Sequence, residues 1–214
     1  MKRVILLVVL AVAVNARASM EITEWMYQGL GTGGLGEFAE FTNTGATAID
    51  LTGWSYSDNS RVAGHVSLSA FGVVAPGESV ILTDSAITDF RTVWGLGTSV
   101  KIIGGNTKDN LGRADEINIY DLSNALIDRL TYGDPGSSPV GTGPRTQGKS
   151  CNIPANDYSL TVAPATWVLS SVGDQYGSWQ STAGDIGSPG QVPEPATIAT
   201  LVLGGAALLR KRRR

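Results

Sequence analysis

The sequence predicts an all-β domain, a sandwich or a barrel, and two observations carry that prediction. Short runs of β-branched and aromatic residues recur at roughly 8 to 12-residue spacing, each bounded by Gly, Pro, Asn, Asp or Ser. No amphipathic helix of three turns interrupts the runs.

The expected strands, in order, are Glu21–Tyr27, Glu37–Asn43, Ile49–Asp50, Trp54–Ser57, Val66–Leu68, Ser79–Thr83, Ser99–Ile103, Glu116–Asp121, Leu126–Tyr132 and Thr166–Leu169. Alternation assigns their faces. Ile117 and Ile119 point one way, Asn118 and Tyr120 the other; Leu126, Asp128 and Leu130 oppose Ile127, Arg129 and Thr131. Asp121-Leu122-Ser123-Asn124-Ala125 reads as a hairpin loop between two of these strands. In Ala75-Pro76-Gly77-Glu78, Pro presets φ and Gly tolerates the positive φ that follows, so a turn precedes Ser79. Asp50 and Asn43 are placed to accept turn amides, and Gly53 marks a bend before Trp54. Trp25, Phe41 and Trp54 are expected core anchors, each able to bury on the order of 150 to 250 Å². The Pro- and Gly-rich stretch from Asp134 to Lys149 reads as a long exposed loop within the domain.

The two ends read as addresses. Lys2 and Arg3 precede an uncharged run from Val4 to Val14, and Ala16-Arg17-Ala18 forms a small-x-small cleavage site, so residues 1–18 are expected to be a signal peptide and Ser19 the first mature residue. At the other end, Ala196 to Leu209 carries no charge and as a helix reaches only ~21 Å. That is marginal for a ~30 Å hydrocarbon core, and Arg210, Lys211 and Arg212 behind it should stay on the cytoplasmic side. Pro193 and Pro195 hold the backbone around Glu194 extended and out of helix just before the apolar run.

Between these ends lie residues 19–191, enough for one domain with a full core. The whole chain has a formal net charge of −3, but 8 of its 16 cations sit in the two ends, whereas 18 of its 19 acids sit in the domain. The domain is therefore strongly acidic with scattered cations, which excludes a duplex-binding surface and makes nucleic acid an unexpected partner. Cys151 is the only cysteine, so no internal disulfide is possible and a small buried apolar role is expected for it.

Reactive constellations are sparse. His65 is the only histidine and no Gly-x-Ser-x-Gly elbow is present, so a hydrolytic triad is not written in the sequence, and no catalytic residue is expected. One His and one Cys fall short of a zinc set. Asp109, Asn110, Asp115 and Glu116 cluster, with Asp58 and Asn59 elsewhere, but without an Asp-x-Asp-x-Asp-Gly loop they read as solvated turn carboxylates before calcium ligands, and neither metal nor cofactor is expected. Glu37 and Glu40, three apart on a strand, point to opposite faces and cannot share a glycosidase cleft. A carbohydrate-stacking platform from Trp94, Trp167 or Trp179 is weighed against core packing, which is the default for such rings.

Two resemblances follow from these residues. Residues 192–214, with Val192-Pro193-Glu194-Pro195-Ala196, Gly204-Gly205 in the apolar segment and the arginine-rich end, resemble a PEP-CTERM sorting signal of Gram-negative bacteria. That resemblance implies an exosortase-like partner, transient residence in the inner membrane, and delivery to the cell surface or extracellular matrix. Residues 21–190 resemble a lamin tail domain through Ile22-Thr23-Glu24-Trp25, Glu37-Phe38-Ala39-Glu40-Phe41-Thr42-Asn43, Asp50-Leu51-Thr52-Gly53-Trp54, Val74-Ala75-Pro76-Gly77-Glu78, Glu116-Ile117-Asn118-Ile119-Tyr120-Asp121 and Gly187-Ser188-Pro189-Gly190. This implies an immunoglobulin-like β-sandwich. Two departures stand out: glycines at 29, 31, 33, 34 and 36, and the segment Asp134 to Ala165. The expected function is a noncatalytic exported surface or matrix protein acting in adhesion or assembly, with exopolysaccharide or a surface protein as partner. The alternative is a secreted hydrolase or an accessory module of one.

Overall fold

A computed structural model describes residues 20–31, 36–133, 145–154 and 167–191. The strands, in order, are β1 Met20–Met26, β2 Phe38–Asn43, β3 Ile49–Asp50, β4 Ser55–Ser57, β5 Val66–Ser67, β6 Val73–Val74 and β7 Ser79–Thr83; helix α1 Ile87–Trp94 follows. Then come β8 Lys101–Ile103, β9 Asp115–Tyr120, β10 Leu126–Tyr132, β11 Cys151–Asn152, β12 Val168–Leu169, β13 Trp179–Gln180 and β14 Ile186–Gly187. They form a six-stranded sheet in the order β12-β11-β1-β2-β7-β8 and a four-stranded sheet β10-β9-β4-β5, with ribbons β13-β14 and β3-β6 beside them.

The two sheets face each other as a sandwich. Ile22, Trp25, Phe41, Val80 and Leu82 of the larger sheet pack with Tyr56, Ile117, Ile119, Leu130 and Tyr132 of the smaller. Trp25 stacks on Tyr132 with ring centroids 4.0 Å apart, which places the expected Trp25 and Phe41 anchors at the centre. Trp54 is only half-buried and packs at the margin of this core.

A β-bulge decides what enters that core. Strict alternation from Met20 and Ile22 would aim Glu24 inward, but the β1–β2 register shifts between Ile22 and Glu24. The shift brings Trp25 and Tyr27 to the core and sends Glu24 to the outer face. A second shift lies between Leu126 and Asp128. It corrects the alternation expected for this strand: Leu126 is exposed and Ile127 packs on the core with Leu130. Asp128 Oδ2 accepts the Ile22 N–H at 2.8 Å and ties β10 to β1 across the sandwich.

The outer face of the larger sheet is covered too. β7 and β8 run parallel, so the chain between them needs a crossover, and α1 supplies it. This helix is shorter than three turns and lacks a side-chain cap at its N-terminal end; Gly95 closes it in the left-handed region at φ 67°. Phe90 and Trp94 pack against Phe38, Met26, Ile81 and Ile102 as a second core. Beyond the apolar half, the outer face carries Glu24 and Glu40, which the N–H groups of Ser188 and Gly190 meet, while Thr182 donates to Val93 O of α1.

Turn chemistry follows the sequence closely. Gly77 has φ 75° and Glu78 donates its N–H to the Ala75 carbonyl at 3.0 Å. Asp121 Oδ1 accepts from Ser123 N, Ser123 Oγ and Ala125 N and so closes the β9–β10 hairpin loop. Asn43 Oδ1 accepts the Gly45 N–H and Asp50 Oδ1 the Thr52 N–H. Gly53, at φ 81°, sits where a Cβ would lie 3.2 Å from Leu122 Cβ. The stretch expected as an exposed loop is partly docked: Gly148 is buried and donates to Gln28 O at 2.9 Å, while residues 134–144 lie outside the described chain. Cys151 is buried in the core as expected, and burial pushes its thiol upward. Among the described residues, no helix is long and apolar enough to cross a membrane.

Candidate functional site

The acidic residues that cluster in the sequence meet at one end of the smaller sheet, where the turn after β4 folds against β9. Asp58 Oδ1 accepts the Ser60 N–H at 2.8 Å, and the turn delivers Arg61, at φ 57°, onto Glu116. Arg61 Nε and Nη2 donate to Glu116 Oε2 and Oε1 at 2.7 and 2.5 Å, a bidentate pair. Burial raises the Glu116 carboxyl, but the hydrogen bonds from Arg61, Asn118 and Thr131 outweigh it together and hold the group below the usual carboxylate range.

The other carboxylates are claimed by backbone amides. Asp115 Oδ1 accepts Asn59 N and Glu116 N at 3.1 and 2.8 Å, while Oδ2 accepts Gly112 N at 2.8 Å; burial leaves its carboxyl raised despite these donors. Asp109, 1% exposed, holds His65: the two carboxylate oxygens lie 2.7 and 2.8 Å from Nδ1. The sequence places these side chains as solvated turn carboxylates, and the burial of Asp109, Asp115 and Glu116 corrects that. They are buried because loops fold over them and their N–H groups replace water. Among the described residues, no three or more His, Cys, Asp or Glu side chains are arranged to hold a metal ion.

An open groove runs beside this cluster, between edge strand β5 of one sheet and the end of edge strand β8 of the other. His65, Ser67, Gly105, Thr107 and Lys108 lie along it. With Nδ1 of His65 engaged by Asp109, the ring presents Nε2 as its remaining hydrogen-bonding atom. Ser67 Oγ donates to Ser69 Oγ at 3.0 Å, so its hydroxyl hydrogen is directed away from the imidazole. The arrangement orients an imidazole without aligning a nucleophile on it.

Asp109→Ala should therefore cost about 1–3 kcal/mol, since it leaves Asp58 N without its acceptor and His65 without its anchor. Urea unfolding would measure the loss, and the His65 ring resonances should move toward those of a solvated imidazole.

A second polar constellation has no signature in the sequence pattern. Glu24 and Glu40 are cross-strand neighbours on β1 and β2, both 1% exposed. Glu24 accepts from Ser188 N at 2.7 Å, from Ser188 Oγ at 3.0 Å and from Ser150 Oγ. Glu40 accepts from Thr23 Oγ1 at 3.0 Å and Gly190 N at 2.6 Å. Burial pushes Glu24 up to about 7 against the hydrogen bonds it accepts, and burial together with the neighbouring Glu24 charge pushes Glu40 up to about 8. Glu37 lies on the opposite face, as expected, where its Oε1 accepts Leu111 N at 2.6 Å; burial raises it to about 8. No sequence signal announces the Glu24–Glu40 pairing, because it depends on the bulge and on the register of two strands.

The tryptophans are structural. Trp94 and Trp167 are buried and Trp179 meets Trp94 edge-on at 5.6 Å, which overturns the stacking-platform reading: the rings are consumed in packing. The processing and sorting residues Ala16, Ala18, Ser19, Pro193, Glu194, Pro195, Arg210, Lys211 and Arg212 lie outside the described residues.

Against known proteins, the Lamin Tail Domain family model matches residues 13–134, from before β1 to just beyond β10. No curated protein matches the chain. The match spans more than half of the 214 residues and covers both faces of the sandwich core, while β11 to β14 complete the larger sheet and its cover beyond it. The chain belongs to the lamin tail domain family, whose fold is the immunoglobulin-like β-sandwich described above.

Proposed function

We propose that this chain is a noncatalytic exported protein of a Gram-negative cell surface or extracellular matrix, sorted by an exosortase-like enzyme and used in adhesion or assembly of extracellular material. The observation that carries the reading is the three-part block at residues 192–214, Pro-Glu-Pro followed by a short apolar run and five terminal cations, directly behind a folded acidic domain. The signal-like residues 1–18 support the same route. An acidic β-sandwich suits a matrix role, since its charge keeps it soluble and away from nucleic acid.

The alternative, a secreted hydrolase or an accessory module of one, draws on the Asp109–His65 pair, because a buried carboxylate orienting an imidazole is one half of a proton-transfer device. Deleting the coding sequence tests the first reading: matrix mass or surface attachment should fall. Unchanged matrix and attachment, together with hydrolysis of an ester or glycan by the purified chain that is lost in His65→Gln, would favour the second.

A further inference from the structure

The groove between β5 and β8 contrasts with the charge of the domain that carries it. No acidic side chain lines the groove among the described residues, and Asp109 behind His65 is buried with its carboxylate oxygens on Nδ1. Lys108 is exposed and makes no ion pair among the described residues, unlike Arg61, Lys101 and Arg129, which face Glu116, Glu78 and Glu116. Lys108, His65 and Thr107 thus lie along the same open channel. Gly105, at φ 73°, has no atom within 4 Å of where a Cβ would sit, so there is open space beside the chain at that point of the groove.

We propose that this groove binds an acidic exopolysaccharide through the carboxylate of a uronic-acid residue. The inference deepens the matrix reading above and rests on it for the source of the ligand. Lys108 supplies the charge for the carboxylate, His65 Nε2 exchanges a hydrogen bond with a sugar hydroxyl, and Asp109 fixes the ring through Nδ1. The surrounding domain is strongly acidic, which sets the ligand's charge density. A polymer with a carboxylate on every sugar is repelled by the rest of the surface, whereas one with neutral sugars between its carboxylates can place a single anion in the groove.

The test titrates the full chain with a hyaluronan hexasaccharide, in which uronate and neutral sugars alternate, and with the neutral chitohexaose of the same length. The expected result is binding of the hyaluronan oligomer at least tenfold tighter than of chitohexaose, and at least a tenfold loss of that binding in both Lys108→Glu and His65→Gln. Lys108→Glu changes an exposed side chain and leaves the His65–Asp109 contact in place, so an unaltered melting temperature certifies its fold. Equal affinity for the two oligomers, no affinity for either, or full binding by Lys108→Glu overturns the proposal. Cosedimentation with native matrix material reads the broader function separately: a chain that cosediments equally well with Lys108→Glu keeps the matrix reading and removes the groove from it.

Discussion

The domain should be most stable near pH 5 and lose stability as the pH rises to about 8. Glu24, Glu40 and Glu37 carry carboxyls pushed up to about 7, about 8 and about 8 by burial, above an ordinary value of 4.5. A carboxyl whose folded value lies above its unfolded value binds its proton more tightly in the fold. Its stabilising contribution is complete below about 4.5 and is lost as the pH climbs through 7 to 8. The three groups act in the same direction, so stability falls between pH 5 and pH 8. Glu116, held below the usual range beside Arg61, acts in the opposite sense and weakens the fold only in acid. Thermal unfolding followed by circular dichroism at pH 5 and pH 8 checks this, with a lower Tm expected at pH 8. The pair Glu24→Gln and Glu40→Gln should flatten the slope, since a neutral amide keeps the shape and removes the titration. A Tm that rises from pH 5 to pH 8 would show that the pair is ionised in the fold.

A chain ending at residue 133, close to where the family match stops, should fail to fold. It retains β1 to β10 but strips β11 from the edge of β1, where Glu24 faces Asn152 and Trp25 faces Cys151. It also removes Ser188 and Gly190, whose amides meet Glu24 and Glu40, and so exposes two carboxyls that the native chain covers. Gly187 packs so tightly that a Cβ there would lie 3.1 Å from Trp94 Cη2, which places the closing segment over the second core as well. Losing a β partner, a polar lid and part of an apolar cover is set against a typical reserve of about 5–15 kcal/mol. A broad, noncooperative melt and early elution on gel filtration are expected. Cooperative unfolding by the shortened chain would mean that residues 145–191 are an appendage.

The sequence was most legible where a local cause was sufficient. β3, β7 and β10 fall where β-branched runs and turn residues bound them, and the Ala75–Glu78 turn and the Asp121–Ala125 loop follow from Pro, Gly and Asp chemistry alone. Legibility failed where a distant partner decides. β11, β13 and β14 are two residues each and exist because another strand meets them, which no window of their own residues reveals. The helix α1 contains Ile87, Thr88, Thr92 and Val93, poor helix formers, and is required by the parallel step from β7 to β8. The bulge in β1 was readable in principle: apolar residues at 20, 22, 25 and 27 slip one place against a period of two, and that slip sends Glu24 outward to Glu40. Of the candidate site, the acidic spacing at Asp109–Glu116 was visible, but the burial of those acids and the return of Asp58 and His65 to them come only from the folding of β4 and β5 onto β9.

Export followed by removal of the tail is tested most directly by mass spectrometry of the mature protein in each cell fraction. The expected product begins at Ser19, lacks Arg210 to Arg214, and is recovered from the surface or extracellular fraction. A surface-localised product that still carries Arg214, or a chain retained in the cytoplasm with Met1 in place, would contradict it.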